Sequence, residues 1–205
     1  MIVFAELFMP DTARVSGHQK DGGCPMTLLD LFHQALDHGG DAVATALGHA
    51  EAHLVRDPAD TVARAMKGAL LTLVTDDVLT EARRGDYRRT GIMLMQEVLA
   101  QLPPFSAEGA VTRFVVAIGL AGVPDADGQR LVARQVLQRV VHSPELGELQ
   151  AWQRLRVQVT LACLAQLGGD DAVAGRAYAA ARAIDADEAV RLFCAFMDQH
   201  GGGAL

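Results

Sequence analysis

The chain has 205 residues, half of them apolar but only 5% aromatic, and its apolar content is mostly Ala, Leu and Val, a helix-bundle or helical-repeat composition. Eighteen basic residues against 25 acidic ones leave a formal net charge of -7, which argues against a nucleic-acid binder built on phosphate contacts. Three cysteines, Cys24, Cys163 and Cys194, contain no CxxC pair, so a disulfide framework is not expected and a reducing compartment fits.

In chain order, residues 1–25 read as an irregular segment. "MIVFAELFMP" is apolar but carries Glu6, lacks a basic start and stops at Pro10, so it does not read as a signal peptide. Within it "IVFAELF" is the one stretch able to pair as an edge strand. Met26 opens a clean helix and is itself a candidate start. No run reaches the roughly eighteen apolar residues that a bilayer span needs, and the chain reads as soluble and cytoplasmic.

From Thr27 the pattern is helical, and residues 26–200 form one α-helical domain with a tail at 201–205. Thr27 is expected to cap a helix with Leu28, Leu31, Phe32 and Leu36 on one face, ending at "HGG". Asp41 is expected to cap a second, with Val43, Leu47, Ala50 and Leu54 as its stripe. Asp57 then reads as an N-cap and Pro58 as a first helical residue, opening a helix through Val62, Met66, Ala69, Leu70 and Leu73.

The polar interval "DDVLTEARRGDYRRT", Asp76 to Thr90, reads as a loop or short irregular helix broken by Gly85. A helix follows through Ile92, Met95, Val98 and Leu99 to the stop at Pro103 and Pro104. Two more are expected near 106–121 and 128–142. Ser143 and Pro144 read as a cap and first-turn proline opening a long helix through Trp152 to Leu167, and helices near 170–183 and 186–199 complete the chain. Cys163 and Cys194 both fall on apolar helical faces, as small core residues do.

Paired helices at this spacing call for a repeat test. The clearest unit is "LACLAQLGGDDAVAGRAYAAARAIDAD", with Leu161 and Ala162, then Ala165, Gly169 at the turn, and Ala174, Tyr178 and Ala181 down the second helix. It resembles a tetratricopeptide repeat over residues 155–187, departing from it at Gln158 and Ala186. Small residues occupy the places where two helices nearly touch, and larger ones fill the space beside them. Degenerate matches run from Asp57 to Pro104, with Gly68, Leu71, Gly91 and Met95, and from Ser106 to Pro144, with Gly119. The resemblance implies a short right-handed solenoid of about eight or nine helices. It also implies a non-catalytic adaptor whose concave surface takes a peptide or a partner helix. The sequence has no GxSxG elbow, no phosphate loop, no HExxH and no glycine fingerprint after a strand.

Two constellations stand out. "EARRGDYRRTG" groups Arg83, Arg84, Arg88 and Arg89 around Tyr87, a positive site suited to a carboxylate, a phosphate or an acidic peptide. It is the expected partner contact, and self-association is compatible with it. The second is an N-terminal histidine cluster: His18, His33, His38, His49 and His53, with Cys24 among them. His49 and His53 share a helix face, as a metal pair would. Glu51 sits about 200° round from His49 and cannot act as the glutamate of HExxH does. "GGCPM" offers the Cys24 thiolate to a haem iron, with His18 or His33 on the other axis. A helical protein that binds a transition metal or haem is therefore the alternative to an adaptor.

Overall fold

A computed structural model describes residues 26–74, 81–103, 107–123 and 128–200. Every element among them is an α-helix: α1 (Leu28–His38), α2 (Gly40–Arg56), α3 (Thr61–Leu73), α4 (Glu81–Gln101), α5 (Ala107–Ala121), α6 (Gln129–Val141), α7 (Glu145–Glu148), α8 (Ala151–Leu167), α9 (Asp171–Ile184) and α10 (Ala186–His200). The expected edge strand, and with it His18 and Cys24, lies outside the described residues. No helix is long and apolar enough to cross a membrane among the described residues.

The caps explain most of the boundaries and correct several expected ones. Thr27 caps α1 in a closed box: its Oγ1 accepts from Asp30 N–H at 3.2 Å, and Asp30 Oδ2 accepts from Thr27 N–H at 2.9 Å. Asp41 does not cap α2. Gly39 and Gly40 turn the chain at φ 61° and 44°, which only glycine does cheaply, so the helix begins before Asp41 and leaves it in the first turn. Nor does Asp57 open α3. It closes α2, donating its N–H to the His53 carbonyl at 2.9 Å, and Asp60 takes the N-cap, accepting from Ala63 N–H at 2.9 Å. Of two aspartates three residues apart, the later one is followed by unbroken helix formers.

The expected loop from 76 to 90 is, from Glu81 onward, the first half of α4. Its glycine at 85 costs about 1 kcal/mol, but Glu and Arg favour helix. One-turn pairs join Glu81 to Arg84 at 2.9 Å and Asp86 to Arg89. Ser143 and Pro144 open only the four-residue α7. The chain then extends through buried Leu149, and α8 starts afresh where Gln150 N–H donates to Gln153 Oε1 at 2.8 Å. Glu145, turned inward on α7, pairs with buried Arg113 of α5, which also donates to the Pro103 carbonyl. Burial raises the Glu145 pKa and Arg113 pulls it back.

The neighbours follow one rule. Four pairs form in sequence, α1 with α2, α3 with α4, α5 with α6 and α8 with α9, and the first helix of each pair also packs on both helices of the pair before it: α3 on α1 and α2, α5 on α3 and α4, α8 on α5 and α6. The last helix, α10, does the same to α8 and α9. In consequence α5 and α8 have neighbours on several sides and are buried nearly all round, with Phe114, Val115, Val116 and Leu120 on one and Leu155 and residues 157–165 on the other.

Cys163 belongs to this core, where burial pushes its thiol up to about 12. Cys194, expected as a second core residue, is exposed. α10 packs through Ala189, Leu192, Phe193 and Phe196, and Cys194 falls off that stripe.

Close approach in the middle of the chain depends on glycine. A Cβ at Gly68 would stand 2.9 Å from the Gly91 carbonyl oxygen, and one at Gly119 would stand 2.7 Å from the Ala69 Cβ. We therefore expect Gly91→Ala to overpack the α3–α4 crossing and lower stability by about 1–3 kcal/mol. At Gly85, where nothing lies within 4 Å of an added Cβ, Ala is expected to raise stability by about 0.5–1 kcal/mol. Urea midpoints of the two variants should move in opposite directions, and a common direction would refute this account of the crossing.

Candidate functional site

Among the described residues, a cleft of about 240 Å³ opens where α1, α8 and the α9–α10 turn meet. Its floor is apolar: Leu155 of α8, Ile184 at the end of α9 and Leu192 of α10, with the Trp152 indole at one side. Aromatic packing holds that indole in place. The His33 ring stacks on it at 4.1 Å and 11°, Phe114 meets it edge-on at 5.4 Å, and Phe32 meets Phe114 edge-on at 6.5 Å. Trp152 Nε1–H donates to Gln150 Oε1 at 2.7 Å.

A charge network closes the rim. Asp37, one turn after His33 on α1, receives His33 Nε2 at 3.2 Å, an Arg156 Nη2 hydrogen bond and, at 3.4 Å, Arg191 Nη2. Arg191 also grips Glu188 within α10, its Nε donating at 2.7 Å. Arg156 is the inner member: its side chain is 12% exposed, and its Nε–H has no hydrogen-bond partner. A buried N–H without a partner costs free energy, so Arg156 has an unused donor beside the cleft.

The titration shifts have physical causes. Burial holds the His33 imidazole below its ordinary pKa; the Asp37 carboxylate raises it in part and the Arg156 charge lowers it again. Burial likewise lowers the Arg156 pKa against the pull of Asp37. The Arg191 hydrogen bond keeps the Glu188 carboxyl below the usual carboxylate value. An apolar floor, an aromatic wall and fixed charges equip the cleft to hold an amphipathic group.

The residues singled out by sequence scatter around this centre. His33 lines the cleft, whereas His38, at the end of α1, and His49, on α2, are exposed. His53 is half-buried, with Nε2 at 2.8 Å from Asp60 Oδ2. Arg83, Arg84, Tyr87, Arg88 and Arg89 stand on the first half of helical α4, outside the cleft, with Arg84 and Arg89 engaged by Glu81 and Asp86. Sequence reasoning missed Asp37, Arg156 and Glu188 and gave Trp152 only a place on the helix that runs to Leu167. No local signal singled out Arg156, since the same helix also carries Gln153, Arg154, Gln158 and Thr160. Comparison of the chain with protein-family models, with curated proteins and with solved structures finds no match.

The His33 shift carries a pH dependence. Its folded pKa lies below the ordinary histidine value of 6.5, so the fold favours the neutral ring; that stability is fully present above pH 6.5 and is lost as pH falls through the folded value. His200, also held low by burial and by Arg130, acts in the same direction. Urea midpoints measured from pH 8 to pH 5 should fall on acidification, with a shallower fall in His33→Gln. An unchanged slope in that variant would rule out the His33 contribution.

Proposed function

We propose that the chain is a non-catalytic binding scaffold, a short tetratricopeptide-like right-handed array of helix pairs that holds a protein or peptide partner. The observation that carries this reading is the neighbour rule, in which the first helix of each pair packs on both helices of the preceding pair, as stacked helical repeats do. Small residues at the crossings support it: Ala162, Ala165, Ala174 and Ala181 are buried between α8 and its neighbours, and Gly68 faces Gly91 between α3 and α4. Tyr178, the larger residue of the best-matching unit, packs on Phe193 at 4.9 Å.

Two surfaces serve as contacts in this reading. The cleft offers Ile184, Leu192 and Trp152 to an apolar anchor and charged groups to the polar atoms beside it. The arginine-rich first half of α4 offers a positive face that attracts an acidic partner within an acidic protein. A cytoplasmic setting suits the free thiols Cys163 and Cys194.

Site-specific photo-crosslinking in cells tests the reading. A photoreactive residue at Leu192 should give one discrete adduct that is absent when the same residue replaces Val55, which is 83% exposed on α2. Ile184→Asp should weaken capture of that partner by about tenfold or more, with the helical circular dichroism unchanged. Equal labelling from both positions, or none from Leu192, would refute the cleft as the contact. Loss of the adduct in Arg84→Glu/Arg88→Glu would bring the α4 face into the same interface.

A further inference from the structure

Where the first helix pair hands over to the second, three side chains with metal-binding chemistry converge. His53 is on the last turn of α2, Asp57 is its C-cap, and Asp60 is the N-cap of α3. One ligand atom from each lies within 4.8 Å of the others, and His53 Nε2 stands 2.8 Å from Asp60 Oδ2. We propose that His53, Asp57 and Asp60 form a site for a divalent first-row transition ion, which clamps the end of α2 to the start of α3.

The donor set determines the class of ion. An imidazole with two carboxylates suits zinc and its neighbours, whereas magnesium and calcium favour oxygen donors alone. Zinc bonds to these atoms at about 2.0–2.2 Å, so donors around one ion stand roughly 3.4 Å apart in a tetrahedral arrangement. The observed spacing reaches that through side-chain rotation. Each carboxylate is already oriented, Asp57 Oδ1 by the Ala59 N–H at 3.2 Å and Asp60 Oδ1 by the Ala63 N–H at 2.9 Å; Asp57 Oδ2 is left for the ion, and Asp60 Oδ2 already faces His53 Nε2, the position the ion would bridge.

Charge favours a cation as well. Among the described residues no lysine or arginine forms an ion pair with Asp57 or Asp60, and the adjacent Arg56 turns back to the Ala52 carbonyl. Two carboxylates thus share one imidazole. The positive end of α3 opposes a cation, but the carbonyl end of α2 abuts the same turn and offsets it. Three protein ligands leave further positions to water, and the two helix ends become one cross-linked corner. The site differs from the His49–His53 pair on α2, since its other two donors come from the turn and from α3.

Titration of the full chain, purified without a histidine tag, with Zn2+ by calorimetry and with Co2+ by visible absorption tests the proposal. We expect one equivalent to bind and the thermal midpoint to rise with Zn2+. Asp57→Asn keeps the Oδ1 acceptor for Ala59 N–H and so preserves the turn; it should weaken binding about tenfold or more, as should His53→Ala, while His49→Ala leaves binding unchanged. Failure to bind one equivalent would overturn the site. So would binding that survives Asp57→Asn, or that depends on His49 instead. Partner capture at the cleft is a separate readout, so neither result decides the other.

Discussion

The distance at which neighbouring helices cross is the constraint on which the remaining packing depends. With few aromatic side chains to fill wide gaps, the chain buries apolar surface by bringing backbones together, and the missing Cβ atoms at Gly68, Gly91 and Gly119 make that approach possible around α3, α4 and α5. Alanines do the same work between α8 and α9. Because interiors pack like crystals, the side chains beside each crossing fit one spacing. Met95 illustrates this: it is fully buried and lies against both Gly68 and Gly119.

Such packing leaves little room for polar groups, so the buried charges are concentrated. The Arg113–Glu145 pair holds the short α7 against α5, and Arg156 joins α8 to α1 through Asp37. Burying a charge is costly, and removing one partner costs more than the pair contributes. These pairs therefore fix orientation more than they add stability. Asp37 shows this clearly: a single carboxylate ties α1 to α8 and to α10, and it positions His33 against Trp152 as well.

Helical identity was legible in the sequence because it depends on periodicity and on caps, both local. Thr27 as a cap and the stripes of α1 and α3 behave as their spacing implies. The boundaries that failed are those where two signals compete nearby, as at Asp57 and Asp60, or where buried contacts break a continuous helical pattern, as Glu145 and Leu149 do in splitting α7 from α8. The cleft was nearly invisible. Its groups come from positions 33, 37, 152, 156, 184 and 188, and no spacing rule joins residues more than a hundred positions apart. The arginine cluster and the histidine pair drew notice because they are close in sequence, which is a different property from convergence in space.

The two halves of α4 differ in what sustains them. Ten of its residues precede Gly91, whereas only five of α3 follow Gly68, so the helix outruns its partner by about five residues, roughly 7 Å. The C-terminal half is anchored by buried Ile92, Met95 and Val98. The N-terminal half has no comparable stripe and depends on propagation from its anchored end, since so short a helix is marginal alone in water. One continuous rod is thus two thermodynamic objects, and the half that carries the arginines can unwind and rewind locally while the rest of the fold stays assembled.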